Sequence, residues 1–149
     1  MHFTEYDTRL AAYAAIVDEQ DRLLLTLSNG EGRYAPEWTM PGGGVEFEEQ
    51  VEEAVVREVF EETGFHVEVG PLLLVDSWGR TAVENDGERG FKAVRVVHLA
   101  LITGGTLGTT EQGGSTDEAS WFPLAEVERL ERTSLVDVVV GALRGGPPE

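Results

Sequence analysis

Residues 43–65 read GGVEFEEQVEEAVVREVFEETGF, and this stretch decides what the chain can be. Valine or alanine recurs at positions 51, 54, 55 and 59, and Gly64 supplies a stop, so the spacing predicts a helix over 48–63. On it Glu58, Glu61 and Glu62 stand at i, i+3 and i+4 and gather on one side. One and two turns earlier that stripe is apolar, at Val55 and Val51. The three carboxylates therefore lie on or beside the face that packs against the rest of the fold. Two like charges about 5 Å apart repel by roughly 3 kcal/mol at an effective dielectric near 20. Such a trio needs protonation or a cation. Oxygen ligands with no cysteine and no neighbouring histidine suit Mg²⁺ or Mn²⁺ rather than Zn²⁺.

Working outward, Pro41-Gly42-Gly43-Gly44 precedes the helix. Its composition predicts a break in all regular structure, and glycines there let backbone approach a ligand. A plain turn is the commoner meaning of such a run. Arg57 likewise has an ordinary explanation, pairing with Glu53 at i−4 and Glu61 at i+4.

Residues 9–17 and 22–28 flank the polar run Asp18-Glu19-Gln20-Asp21 and are expected to form a hairpin. Residues 29–37 are expected as a loop and 38–40 as a short extended piece. Strands follow over 65–78, interrupted at Gly70-Pro71, and over 91–102, joined by a polar loop at 79–90. A glycine-rich loop at 104–116, a short strand at 119–122 and helices at 124–130 and 135–143 complete the chain. Strands interleaved with two or three helices indicate a mixed α/β or α+β sandwich. The division expected is one domain over 1–144 and a disordered tail over 145–149.

The chain has 149 residues, suiting one compact domain, and 41% of them are hydrophobic. No apolar run approaches the roughly 18–20 residues of a membrane span, and the polar start MHFTEYDTRL does not resemble a secretory leader. Cysteine is absent, which excludes disulfides, thiol nucleophiles and thiolate metal sites. A cytoplasmic protein is the expectation. The net charge of −17 disfavours binding to a nucleic acid polymer or an anionic membrane. Eight glutamates fall within residues 46–62, a density that either frays a segment or gathers cations.

Together these residues resemble the Nudix family signature: a Gly, five residues, a Glu, seven residues, Arg-Glu, an aliphatic, any residue, Glu-Glu, any residue, Gly and a bulky apolar. They stand here as Gly43, Glu49, Arg57, Glu58, Val59, Glu61, Glu62, Gly64 and Phe65, without a gap. A chance match is on the order of 10⁻⁵ or less at this glutamate content. The lead-in Trp38-Thr39-Met40-Pro41-Gly42 and the later Trp121-Phe122-Pro123-Leu124 are similar to the family's flanks.

The resemblance implies an α/β/α sandwich with a mixed β-sheet and the signature as loop–helix–loop. It implies Mg²⁺, or Mn²⁺, held by Glu58, Glu61, Glu62 and the carbonyl of Gly42, with Arg57 orienting a neighbouring glutamate. Glu49 and Gly64 look structural. Catalytic roles fall on Glu58, Arg57 and Glu61. The reaction implied is attack of water on phosphorus in a diphosphate linkage, with a carboxylate taking the proton. Glu58 is the first candidate for that base. Glu111, Asp117 and Glu118 are later-loop alternatives, Glu118 preferred among them.

For the substrate, Tyr34, Trp38, Trp78 and Phe91 are candidates for stacking on a base, and Arg33, Arg80, Lys92 and Arg95 for meeting phosphates. The add-on motifs of ADP-ribose-cleaving and NADH-cleaving members are missing, and lack of cysteine counts against an isopentenyl diphosphate isomerase. A (d)NTP or small nucleotide derivative is expected, with ADP-ribose or a nucleotide sugar as the alternative substrate. A non-catalytic nucleotide sensor on the same fold is the alternative function. The valines at 136 and 138–140 suit either a homodimer contact or the chain's own core.

Overall fold

The computed structural model describes residues 1–30, 34–108 and 113–145. Among these residues seven strands and two α-helices follow in the order β1 (Tyr6–Ala15), β2 (Arg22–Ser28), β3 (Glu37–Thr39), β4 (Gly42–Gly44), α1 (Val51–Thr63), β5 (Phe65–Arg80), β6 (Gly90–Gly105), β7 (Thr116–Pro123) and α2 (Ser134–Gly145). A 3-10 turn, Leu124–Arg129, stands where a helix over 124–130 was expected. Helix α2 takes in Gly145, which the sequence had placed in the tail, and residues 146–149 lie outside the described residues.

The strands form two sheets. One has the order β4-β1-β6-β5, mixed because β1 and β6 run parallel while the other pairs are antiparallel. The other is antiparallel, β3-β2-β7. Their two faces carry separate cores. Ala12 and Ala14 of β1, with Ile16 just after it, pack with Ala54, Val55 and Val59 of α1. Ala15, Leu23, Leu25 and Val97 pack with Leu135, Val136, Val139 and Val140 of α2. The period-two alternation along β1 thus feeds both layers. The result is the α/β/α sandwich with a mixed sheet.

Three expectations are corrected. The strands flanking Asp18–Asp21 turn tightly, with Val17 bridging Leu23, but β1 and β2 then diverge into different sheets. The glycines at 42–44 are not a break but a strand, pairing Gly42 with Tyr13 and Gly44 with Ala11. Backbone hydrogen bonds override poor propensity here. Helix α1 starts at Val51 rather than residue 48, because the Glu53 carboxylate accepts the Gln50 N–H at 2.8 Å and fixes the first turn. Its end is as expected: Gly64 adopts φ 80° and closes the helix onto the Phe60 carbonyl. Of the C-terminal valines, Val136, Val139 and Val140 are core and Val138 is 40% exposed.

Candidate active site

A cleft of about 870 Å³ opens where α1, the β4 glycines and the ends of both sheets meet. Its deepest acid is Glu62, only 8% exposed, on the stripe that Val55 and Val59 begin. Its carboxyl accepts the Gly42 N–H at 2.7 Å and the Thr116 hydroxyl at 2.8 Å. Burial pushes its pKa up to about 8, and the neighbouring Glu58 and Glu61 add to the rise. Glu58 lies against Gly43, where a Cβ would come within 2.9 Å of its carboxyl carbon. The tripeptide of glycines is therefore what lets two acids and a strand share one wall.

Arg57 organises the rest. Its guanidinium donates to Glu49 through Nε at 2.7 Å and Nη2 at 2.9 Å, to the Gly44 carbonyl at 3.1 Å, to Glu58 at 3.0 Å and to Glu61 at 3.3 Å. Glu53, the i−4 partner expected for it, instead bonds the Gln50 N–H. The paired guanidinium bonds and the Glu46 N–H hold Glu49 down at a pKa of about 2. Glu61 is drawn toward Arg57, so the three helix acids do not converge on one point. Among the described residues no three acidic or histidine side chains stand ready-closed around an ion. Glu58 and Glu62 both line the cleft, whereas Glu61 and Arg57 are not among its lining residues.

Other expected residues fall in different places. Arg80 lines the cleft, its guanidinium 5.1 Å from the Trp78 ring centroid, and Trp78 and Phe91 meet at 5.6 Å between centroids. Tyr34 also lines it. Arg95 does too, held by both oxygens of Asp76 at 2.7 and 2.8 Å. Four candidates lie elsewhere. Trp38 packs edge-on against Phe122 beside the α2 core. Lys92 is exposed, out of phase with the lining residues Phe91 and Ala93 on the same strand. Glu118 is exposed on β7, and Asp117 accepts the Asn29 amide. Neither belongs to the cleft lining. Arg33 and Glu111 are outside the described residues.

Sequence reasoning passed over Arg9, Tyr13 and Thr116, all cleft residues. The first two were legible in principle, since Arg9, Ala11 and Tyr13 alternate with the buried Ala12 and Ala14. Thr116 was not, because only tertiary structure brings it to Glu62.

The glycines separate fold from chemistry. At Gly42, φ is 153° and an added Cβ would meet the backbone of β1. Gly42→Ala is expected to cost about 2–4 kcal/mol in urea unfolding. At Gly43 the three atoms nearest the added one would all belong to the flexible end of Glu58. Gly43→Ala should keep its unfolding midpoint and lose catalytic rate through a displaced Glu58. Equal unfolding midpoints for the two variants would contradict this account.

Comparison with known proteins matches this arrangement to a described family. The NUDIX domain model matches residues 7–139. The chain is 36% identical over 111 residues to 8-oxo-dGDP phosphatase NUDT18 of Homo sapiens, covering 74% of this chain and 31% of that protein. It is 40% identical over 68 residues to diphosphoinositol polyphosphate phosphohydrolase 3-alpha of Mus musculus, covering 46% of this chain and 40% of the relative. The chain thus spans well under half the length of these curated relatives. The crystal structure of a MutT NUDIX hydrolase from Burkholderia pseudomallei superposes with a TM-score of 0.73 at 30% identity, covering 90% of this chain and 96% of that one. A sandwich whose glycine strand and acidic helix share a cleft wall defines a class. The chain belongs to the Nudix family.

Proposed function

We propose that the protein is a divalent-cation-dependent hydrolase that cleaves a diphosphate linkage in a nucleotide, a (d)NTP or a small nucleoside diphosphate derivative. The observation that carries this reading is the pairing of Glu58 and Glu62 on one cleft wall behind the close-packed glycines. The donor set is all oxygen, and a buried carboxyl with a raised pKa is one that gains by exchanging its proton for a cation. Glu58, Glu61, Glu62 and the Gly42 carbonyl fit Mg²⁺ or Mn²⁺ in chemical type. Such an ion neutralises phosphoryl oxygens and acidifies a water.

The chain's own residues supply the remainder. Glu58 takes the proton of the attacking water as oxygen bonds to phosphorus and the bridging P–O bond breaks, leaving two phosphate-containing products. Arg57, 3.0 Å from Glu58, fixes that carboxylate's orientation. Gly43 leaves it the room to lie against β4.

The cleft favours a nucleotide over a diphosphoinositol polyphosphate. Its described lining has three arginines, Arg9, Arg80 and Arg95, against four glutamates, Glu37, Glu58, Glu62 and Glu84. A ring bearing many phosphates needs a far more basic wall. The Trp78–Phe91 pair offers instead an aromatic surface for a base. The resemblance to NUDT18 also favours a nucleotide.

A panel with Mg²⁺ tests the reading. It holds nucleoside di- and triphosphates including 8-oxo-dGDP, ADP-ribose, a nucleotide sugar and a diphosphoinositol polyphosphate, with products identified by mass. Turnover of a nucleotide, lost on chelation, is expected. No turnover of any compound, together with a ligand-induced rise in melting temperature, would instead establish the nucleotide-sensor alternative.

A further inference from the structure

The strand register lays the cleft floor out in rows. Gly42 pairs with Tyr13, and Gly44, Ala11, Arg95 and Asp76 form the next row. Arg9, Ala93 and Trp78 form the one after, and Phe91 pairs with Arg80 beyond it. Alternate residues rise about 6.6 Å apart along a strand, so the Tyr13 and Arg9 rows are separated by about 13 Å. Glu58 and Glu62 stand at one end and the Trp78 and Phe91 rings at the other. Between them the floor offers arginines whose circumstances differ. Arg95 is neutralised by Asp76, and Arg80 lies over Trp78 with Glu84 nearby. Among the described residues Arg9 forms no ion pair. Its guanidinium is close enough to the Tyr13 phenol to oppose the rise that burial gives that group's pKa, and it lies beside Gly44, whose absent side chain keeps it accessible. The guanidinium can only donate and the phenol O–H can donate as well, so both side chains offer donors to the cleft they line.

We propose that Arg9 and Tyr13 form a seat for the substrate phosphate that the glutamate end does not hold. Arg9 is thereby a specificity-determining residue, setting where the diphosphate lies between the acidic wall and the aromatic rings. This rests on the diphosphate-hydrolase reading for its substrate but not for its test. A cation with fixed donors on an otherwise acidic protein recognises phosphoryl oxygens of any diphosphate.

The experiment measures inorganic pyrophosphate binding by calorimetry with Ca²⁺ present and no nucleotide, for the parent protein, Arg9→Ala and Arg9→Lys. Steady-state kinetics with Mg²⁺ on the best nucleotide of the panel run alongside. Arg9→Ala should weaken pyrophosphate binding by about tenfold or more, with Arg9→Lys between it and the parent. KM should rise by a similar factor while kcat stays within about threefold, since the seat holds ground and transition states alike. Affinities equal within about twofold, a parent that does not bind pyrophosphate, or a fall in kcat at constant KM would each overturn the seat. Absence of nucleotide turnover would defeat the hydrolase reading while leaving the calorimetric comparison decisive.

Discussion

Glu62→Gln is expected to stabilise the cation-free protein and abolish hydrolysis in the same step. The buried carboxyl has its folded pKa raised from 4.5 to about 8. A group that holds its proton more tightly when folded contributes stability that is full below its unfolded pKa and is lost as pH rises through the folded one. The parent should therefore lose stability between about pH 4.5 and pH 8, by an amount on the order of a few kcal/mol. Glutamine mimics the neutral acid: its carbonyl can accept the Gly42 N–H, and its amide can donate to the Thr116 oxygen. Melting temperatures of variant and parent should agree near pH 4.5 and separate by several degrees at pH 8 and above. Saturating Mg²⁺ should narrow the gap by stabilising the parent alone. A variant that melts lower than the parent at pH 8 without divalent cation would show that the Glu62 carboxyl serves folding.

Arg57→Ala should have the opposite signature, losing stability and rate together. The substitution leaves Glu49, Glu58 and Glu61 without their shared countercharge and the Gly44 carbonyl without its donor. With the guanidinium side chain 27% exposed, we expect a loss of about 2 kcal/mol, below the usual cost of breaking a fully buried pair. A fall of about 10- to 100-fold in kcat should follow from the loosened Glu58. Lysine should restore little, because a single ammonium cannot reproduce the paired bonds to Glu49. Acid titration gives a second signature. Glu49 has its folded pKa depressed to about 2, so its contribution is present above its unfolded value of 4.5 and lost as pH falls through the folded value. Acid unfolding of the parent should carry that step between about pH 4.5 and pH 2, and Arg57→Ala should lack it. Full activity in the alanine variant would remove Arg57 from the mechanism.

The site was legible where chemistry follows helical spacing and obscure where it follows strand pairing. Val51, Val55 and Glu62 share a face by periodicity alone, so the acidic end of the cleft was visible in residues 43–65. The i+4 pairing of Arg57 with Glu61 was legible as well, but the bonds of Arg57 to Glu49 and the Gly44 carbonyl were not, because they span a loop. The glycines at 42–44 read as a break because propensity knows nothing of β1, whose Tyr13 backbone occupies the space a side chain would need. The β1–β2 turn was found but not the divergence into two sheets, since β1 over 11–15 and β2 over 23–26 are buried on both faces and their alternation is blurred. Lys92 and Arg80 looked equivalent as cations, yet a strand's two-residue period puts one in the cleft lining and the other out of phase with it.

The long β5–β6 hairpin has an evolutionary corollary. Its base packs beside α1, while its tip, around Trp78, Arg80 and Phe91, reaches the opposite end of the cleft. Under the proposed roles, bond breaking would fall to the α1 wall and ligand choice to the hairpin tip. Substitutions at the tip would then retarget the protein without disturbing the acidic wall.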